Sequence, residues 1–485
     1  MTSLDEIVQA LAAHDILVSA PSELPAITGL SDDSREVRPG YLFCAHGGTV
    51  SDGHRFVGDA VDRGAAAVLV AREVPAAVPR IVVRESRDAV TVAAAAWYGH
   101  PAGSLRFVAV TGTNGKTTSV SLVRHLLNDE GVVGRIGTLG AVDGLDRGVP
   151  GHHHLTTPGA VALQAVLAHL RNAGVRDVVM EASSHALDQG RLAGLSLDAA
   201  LFTNLTHEHL DYHGSLDRYR SSKLRLLDLL TADGVAVLNA DDPAWANVQP
   251  SGARRTVRFG RTGDVRVAPL RADALGTEIE LVCESRRLQA RVPLPGAFNV
   301  DNAAGAMATA WALGVPLDHV VERLASAPQV LGRMERLVER ESTVVLRDYA
   351  HTPDALRRLL EALRPVTSGR LIVLFGAGGD RDRTKRPEMG AIAERMADAV
   401  VLTSDNPRHE DGDAILDDIE RGMRGSGHRR VVDREKAILE TLAQLADGDC
   451  LVLAGKGHET YQIIGDERTP FDERAIVRGY FGLPQ

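Results

Sequence analysis

Residues 110–118 read Val110-Thr111-Gly112-Thr113-Asn114-Gly115-Lys116-Thr117-Thr118. An apolar run from Arg106 to Val110 leads into this stretch, and a helical pattern from Thr117 to about Asn128 leaves it. Strand, glycine turn and helix in that order make a phosphate cradle. The backbone N–H groups at the helix start face an anion, and Gly112 and Gly115 let the chain turn tightly. In such a loop Lys116 reaches the β- and γ-phosphates and Thr117 holds Mg²⁺. The general pattern GxxxxGK[ST] has glycine at its first position, where this chain carries Val110, so the loop is a variant.

Outward from the loop, strands alternate with helices. Val178–Met180, Ala200–Asn204 and Val235–Asn239 read as strands, which suggests a mostly parallel sheet. Residues 256–295 alternate apolar and polar and read as short antiparallel strands, followed by a helix from Val300 to Leu313. Towards the N-terminus, Ala65–Val70 and Ile81–Val83 read as strands of a smaller α/β unit. Towards the C-terminus, runs beginning at Thr343, Leu371, Ala399 and Cys450 restart the strand–helix pattern as a second doubly wound sheet. Boundaries fall near Pro101–Ser104 and Gln329–Arg333. The expected domains are therefore 1–103, 104–331 and 332–485, in keeping with a length of 485 residues. The expected fold class is α/β in three domains.

The balance of 54 Lys plus Arg against 64 Asp plus Glu gives a net charge of -10, which argues against general nucleic-acid binding. Cys44, Cys283 and Cys450 are too dispersed for a disulfide framework or a CxxC metal site. The first residues carry Asp5 and Glu6 where a secretory signal is basic, while Leu4, Ile7, Val8 and Leu11 have helical spacing. No apolar run approaches the roughly 18 residues of a membrane span. A cytoplasmic protein with no membrane partner is expected. His152-His153-His154 reads as loop.

Several further motifs carry chemistry. Glu181-Ala-Ser183-Ser184-His185 precedes His207-Glu208-His209-Leu-Asp211-Tyr-His213. Taken alone, the second run is close to the HxHxDH of metallohydrolases, with its last histidine one residue late. Its other reading is a polar loop after a strand. Asp32-Asp33-Ser34-Arg35 is followed by Gly48-Thr49-Val50-Ser51-Asp52-Gly53-His54. Phe375-Gly-Ala-Gly-Gly-Asp380-Arg381 lacks the full GxGxxG spacing of a dinucleotide loop. Asp405-Asn406-Pro407-Arg408 and Ala454-Gly455-Lys456-Gly457-His458-Glu459 each follow an apolar strand, and ligands bind beyond such strand ends in open parallel sheets. Pro407 stiffens its turn, and the planar fork of Arg408 matches a carboxylate.

The stretch TGTNGKTT resembles the ATP loop of the Mur ligase superfamily. That superfamily comprises peptidoglycan amino-acid ligases and folylpolyglutamate synthases: three-domain, ATP-dependent formers of amide bonds. The order of DDSR, RPGYLF and DGH resembles the uridine-nucleotide domain of the diaminopimelate- or lysine-adding type, and DNPR with GKGHE resembles the diaminopimelate-adding version. The resemblance implies a UDP-binding α/β domain, a central P-loop ATPase-like parallel-sheet domain and a C-terminal Rossmann-like domain. It implies catalytic roles for Lys116, Lys223 and His209, and ATP contacts from Gly112 to Thr118 with Asn302, Arg333, Asp348 and His351. It implies contacts to UDP-MurNAc-dipeptide from Ser34, Thr49, Val50, Ser51, Thr156, Thr157, Ser183, Gln189 and Arg191. Diaminopimelate would meet Arg381, Asp405, Asn406, Pro407, Arg408, Gly455 and Glu459. Magnesium would be held by Thr117, Glu181, His209 and Lys223 as a carbamate. The implied reaction is ATP-dependent addition of meso-diaminopimelate to UDP-N-acetylmuramoyl-L-Ala-D-Glu through an acyl phosphate, in peptidoglycan precursor synthesis, by a monomer acting on small molecules.

The chemistry is consistent with that implication. Lysine has no distal carboxylate and would leave Arg408 without its partner. Three features depart from the pattern: Arg347 where such strands carry an apolar residue, Ala45-His46-Gly47-Gly48 ahead of the nucleotide contacts, and Leu155 where some relatives have Asn. They keep open a specialised paralogue that joins a different amine and carboxylate in secondary metabolism. A catalytically silent homologue would have lost the loop or the magnesium ligands, and all are present here.

Overall fold

The computed structural model describes residues 3–48, 51–151, 155–250, 255–273, 275–340 and 343–484. The chain divides into two compact units, 1–259 with 308–315, and 260–307 with 316–485.

The first unit holds two sheets. Strands β1 (Leu17–Ser19), β2 (Gly29–Ser31), β3 (Tyr41–Cys44), β4 (Ala67–Val70) and β5 (Arg80–Val83) lie in the order β1-β5-β4-β3-β2. All pairs are parallel except the edge pair β1–β5. The helix Leu4–Ala13 starts with a capping box, the Glu6 N–H donating to Ser3 Oγ and the Ser3 N–H to Glu6 Oε2. It buries Leu4, Ile7 and Leu11, as the helical spacing predicts.

Strands β6 (Arg106–Thr111), β7 (Val133–Gly137), β8 (Gly140–Val142), β9 (Asp177–Glu181), β10 (Leu197–Phe202), β11 (Leu230–Asn239) and β12 (Arg255–Gly260) form the larger sheet. Their order is β12-β11-β10-β6-β9-β7-β8, parallel throughout except for β8. The antiparallel expectation for 256–295 therefore fails at its first strand, since β12 pairs parallel with β11. The connection between them is roughly fifteen residues, long enough for a crossover, and alternation alone does not encode direction. Register does the important work here. Val110 lies opposite Glu181, and Thr111 opposite Phe202, so the carboxyl ends of β6, β9 and β10 finish together.

In the second unit β13 (Val265–Asp273), β14 (Gly276–Cys283) and β15 (Arg286–Val292) form an antiparallel meander. A six-stranded sheet follows from β16 (Glu335–Arg340), β17 (Thr343–Asp348), β18 (Leu371–Phe375), β19 (Ala399–Leu402), β20 (Arg429–Arg430) and β21 (Cys450–Ala454), in the order β16-β17-β21-β18-β19-β20. Only β16 is antiparallel. A hairpin, β22 (Tyr461–Ile464) with β23 (Glu467–Pro470), follows the last strand. The Arg347 anomaly has a local cause. Its Nε donates to Glu335 Oε2 at 2.6 Å, and both side chains are buried, so the strand carries a paired charge where an apolar residue is usual. Among the described residues, no helix is long and apolar enough to cross a membrane.

Candidate active site

The phosphate loop closes the end of β6. Val110 is fully buried as a strand residue, so the turn is made later, by Gly112 at φ +149 and Gly115 at φ +86. A Cβ on Gly112 would lie 1.9 Å from Thr203 Oγ1, which explains glycine there. The loop is held from β10's end: Thr113 N–H donates to Asn204 O (2.8 Å), Asn114 N–H to Asn204 Oδ1 (2.9 Å), and Thr203 Oγ1 to Asn114 O (2.7 Å). The helix Lys116–Leu127 begins at once, with Thr117 and Thr118 buried in its first turn.

Two lysines converge on this loop. Lys116 Nζ donates to Gly112 O (2.9 Å) and Thr113 O (2.7 Å), and Lys223 Nζ donates to Gly112 O (2.7 Å). Lys223 is delivered by the helix Leu216–Leu224 and lies 4.4 Å over the Tyr219 ring. Burial and the nearby Lys116 charge push its amine well below the ordinary 10.5. His209 sits at φ +55 before a short helix, 4.7 Å from the His185 ring. Burial, with Lys116 and Lys223 adding to it, lowers the His209 imidazole. Burial takes His185 down to about 4. Both imidazoles are thus held neutral, the form that ligates metal.

Glu181 ends β9. Its Oε1 accepts from Thr138 N–H at 2.8 Å and its Oε2 from Thr138 Oγ1 at 3.2 Å. From there a polar chain runs along the same edge. Thr138 Oγ1 lies 3.2 Å from Thr156 Oγ1, Thr157 Oγ1 donates to Glu181 O (2.8 Å), Ser183 N–H to Thr157 Oγ1 (3.0 Å), and Arg191 to Thr157 O (3.0 Å) and Gln189 Oε1 (2.6 Å). The fold therefore brings together Thr156, Thr157, Ser183, Gln189 and Arg191, separated by up to 35 positions. The charge of Asp32, from the first sheet, acts on Arg191.

Ser34 lies beside Asp32 in a short 3-10 turn capped by Asp33, which also pairs with Arg35. Thr49 and Val50 lie outside the described residues, as does the run His152-His153-His154, while Ser51 is exposed and its carbonyl accepts from Gly48 N–H at 2.9 Å. The neighbouring Asp52-Gly53-His54 motif is structural. Asp52 Oδ1 takes both the N–H and Nδ1 of His54, and His54 Nε2 accepts from Ala71 N–H at 2.9 Å.

The second unit carries two adjoining groups. In the first, Asp348 accepts from Met334 N–H (2.7 Å) and Ala350 N–H (2.8 Å), and burial raises its carboxyl. The Arg333 guanidinium lies 4.5 Å over Tyr349, and His351 Nδ1 is 2.7 Å from Tyr349 O. Asn302 Nδ2 donates to Asn299 Oδ1 at 3.1 Å. The sequence reading missed Tyr349; its signal is Gly457 (φ +55), whose Cβ would fall 2.7 Å from the Tyr349 Cβ.

The second group lies beyond β19 and β21. Asn406 Oδ1 accepts from Lys456 Nζ (3.0 Å) and Ile463 N–H (3.0 Å), and its Nδ2 donates to Glu459 Oε2 (2.8 Å). Arg408, at φ +51, donates to Gly379 O at 2.9 Å. Gly378 separates it from Arg381: a Cβ there would lie 3.1 Å from Arg408 Nη1 and 3.6 Å from Arg381 Cγ. Gly455 (φ +112) leaves room for Asp405, whose Oδ2 would be 2.5 Å from a Cβ. Pro407 O packs at 1.8 Å from a would-be Cβ on Gly379. Burial and the neighbouring Asp405 raise the Glu459 carboxyl. Asn406 ties three protein groups together, which makes it the keystone of this turn, and Lys456 was missed as its partner.

Comparison with known proteins agrees along the whole chain. Residues 26–101 match the Mur ligase family catalytic domain, 110–310 the Mur ligase middle domain, and 332–457 the Mur ligase glutamate ligase domain. A UDP-N-acetylmuramoyl-L-alanyl-D-glutamate–2,6-diaminopimelate ligase of Chlorobaculum tepidum is 43% identical, over 99% of this chain and 97% of its own. The ligase of that name from Bacillus velezensis is 42% identical over 93% and 94%. A solved structure of a ligase of that name superposes with a TM-score of 0.69 at 34% identity, covering 99% of both chains. The metallohydrolase reading of the histidine run has no place in this architecture, and no group of three or more His, Cys, Asp or Glu side chains placed to hold a metal ion is found among the described residues. The chain belongs to the Mur ligase family, with the family's three-domain α/β architecture.

Proposed function

We propose that this chain is an ATP-dependent ligase that adds meso-diaminopimelate to UDP-N-acetylmuramoyl-L-Ala-D-Glu, supplying a peptidoglycan precursor. What carries the reading is the end-to-end match, at 43% identity, to a ligase named for that reaction. The site residues divide among three segments. Residues 1–103, with Ser34 and Thr49 to Ser51, take the uridine nucleotide. Residues 104–331 hold ATP at Gly112–Thr118 and the dipeptide at Thr156, Thr157, Ser183, Gln189 and Arg191. Residues 332–485 offer Arg333, Asp348 and His351 as nucleotide contacts, and the preceding segment offers Asn302. They also hold diaminopimelate at Arg381, Arg408 and the Asp405–Glu459 group. The protein works as a monomer in the cytoplasm.

In the reaction, the γ-carboxylate of D-glutamate takes the γ-phosphoryl group of ATP. The amine of diaminopimelate then attacks the acyl carbon, phosphate leaves and an amide remains. Lys116 neutralises phosphate charge from a preformed position, so little reorganisation is needed at reaction. Burial pushes the Lys223 amine towards its neutral form, the form that adds to CO₂ with loss of a proton to give a carbamate. That converts a donor beside the phosphate loop into an anion. Thr117, Glu181, His209 and the carbamate suit a hard cation of few protein ligands. Magnesium held there would supply Lewis-acid neutralisation of phosphate and carboxylate charge. Arg408 donates to the distal carboxylate, and Glu459 accepts from the distal ammonium. The Arg347 departure is explained by its ion pair with Glu335, so it gives the paralogue reading no support.

The test is phosphate release with Mg·ATP and UDP-MurNAc-L-Ala-D-Glu, comparing meso-diaminopimelate, L-lysine and no amine. Release matched by tripeptide, with diaminopimelate alone, is expected. No turnover with either amine, from protein that still binds ATP, would overturn the reading.

A further inference from the structure

Arg434 and Glu473 are both fully buried, and neither belongs to the groups described above. Arg434 opens the helix Arg434–Leu442 and Glu473 opens the helix Glu473–Tyr480. The Arg434 Nε donates to Glu473 Oε1 at 2.7 Å, its Nη1 to Ser404 O at 3.1 Å and its Nη2 to Ala454 O at 3.0 Å. Those carbonyls have a particular place. Ser404 immediately precedes Asp405-Asn406-Pro407-Arg408, and Ala454 immediately precedes Gly455-Lys456-Gly457-His458-Glu459.

Strands β19 and β21 are not neighbours; β18 runs between them. Alternate strands of a sheet are about 10 Å apart. Their continuations therefore need a bridge, and a planar guanidinium with donors on two edges can hold both carbonyls at once. A buried ion pair adds little stability over an apolar pair of similar volume. Glu473 Oε2 is even left without a hydrogen-bond partner. What the pair supplies is geometry.

We propose that Arg434 is a positioning residue, which fixes the spacing between the Asp405–Arg408 turn and the Gly455–Glu459 turn and so sets the fit of the amine substrate's distal head. The substrate part rests on the function proposed above. Arg434→Lys keeps the charge beside Glu473 but cannot fork to both carbonyls, and Arg434→Met keeps volume without charge. Two measurements on the full chain decide the matter. In steady-state assays, both variants are expected to raise KM for meso-diaminopimelate at least tenfold while KM for ATP stays within twofold. In hydrogen exchange, peptides covering 405–410 and 455–460 are expected to exchange at least tenfold faster than in the unsubstituted protein, with 106–118 unchanged. Unaltered exchange in both turns overturns the inference, and so does a loss of kcat with every KM unchanged. So does faster exchange spread evenly over the second unit. If the unsubstituted protein shows no turnover with diaminopimelate, the proposed function falls, and the exchange comparison still decides the role of Arg434.

Discussion

Lys223 and Lys456 are the two lysines among the largest fully buried side chains, and the fold treats them oppositely. Lys456 lies 3.7 Å from Glu459 and 3.0 Å from Asn406 Oδ1, so its charge is shared inside a polar group. Lys223 has a backbone carbonyl and an aromatic face, and no ion pair among the described residues. Desolvation lowers both amines; at Lys456 the carboxylates Asp405, Glu459 and Glu473 counter it against Arg434, while at Lys223 Lys116 adds to it and Glu208 opposes it. A buried lysine with a partner is a piece of architecture. A buried lysine denied one is a nucleophile in waiting.

The comparison is broken most directly through turnover. Lys223→Ala is expected to lower kcat at least 100-fold, the scale of losing one preorganised electrostatic group, while ATP binding persists. Assaying the unsubstituted protein in CO₂-free buffer is expected to lower activity, and bicarbonate to restore it. Activity indifferent to bicarbonate would mean that the amine itself, not its carbamate, serves the loop.

Stability gives the next contrast. Lys456→Met takes away the buried cation beside the partly buried Glu459 and one of the two donors to Asn406 Oδ1; a loss of about 3 kcal/mol in urea unfolding is expected. Lys223→Met removes a buried amine that makes no ion pair among the described residues, and no loss beyond about 1 kcal/mol is expected. Equal losses would erase the distinction between the two lysines.

This contrast also marks what the sequence could tell. The phosphate loop, the strand ends and the DNPR and GKGHE turns are local signals: an apolar run, a glycine and a polar cluster in consecutive residues. The α/β fold follows from them. Partnership is not local. Nothing near Arg347 or Arg434 announces a buried pair, because Glu335 and Glu473 lie 12 and 39 residues away. His54 has such a distant partner too: its ring accepts from Ala71 N–H, 17 residues away. Likewise β12 shows the alternation of a half-buried strand, but its direction is set by a crossover and not by its residues.

A third test follows the charge itself. The folded pKa of Lys223 is depressed, so above 10.5 both folded and unfolded amines are neutral and nothing is lost. As pH falls below 10.5 the unfolded chain takes up a proton that the folded chain refuses. Stability therefore rises with pH from the depressed folded value up to 10.5. In CO₂-free buffer, the stability of the unsubstituted protein relative to Lys223→Met is expected to increase between pH 7 and about 10. A flat difference would show that the amine is charged in the folded state.

The smallest effect is expected at Tyr219, and it tests the same neutrality from the other side. A cationic Lys223 would gain about 1–2 kcal/mol from a desolvated aromatic face, whereas a neutral amine gains only packing. Tyr219→Phe keeps the ring and removes the hydroxyl that lies 3.2 Å from Thr113 Oγ1. A loss of about 1 kcal/mol is expected for that hydrogen bond. Tyr219→Leu, which removes the face as well, should cost more through lost volume, and by the same amount in the Lys223→Met background as in the unsubstituted protein. A double-mutant cycle measures that equality directly. A coupling of 1 kcal/mol or more between positions 219 and 223 would mean the ring is holding a cation, and the reactive amine would then have to be generated only when substrate charge arrives at the phosphate loop.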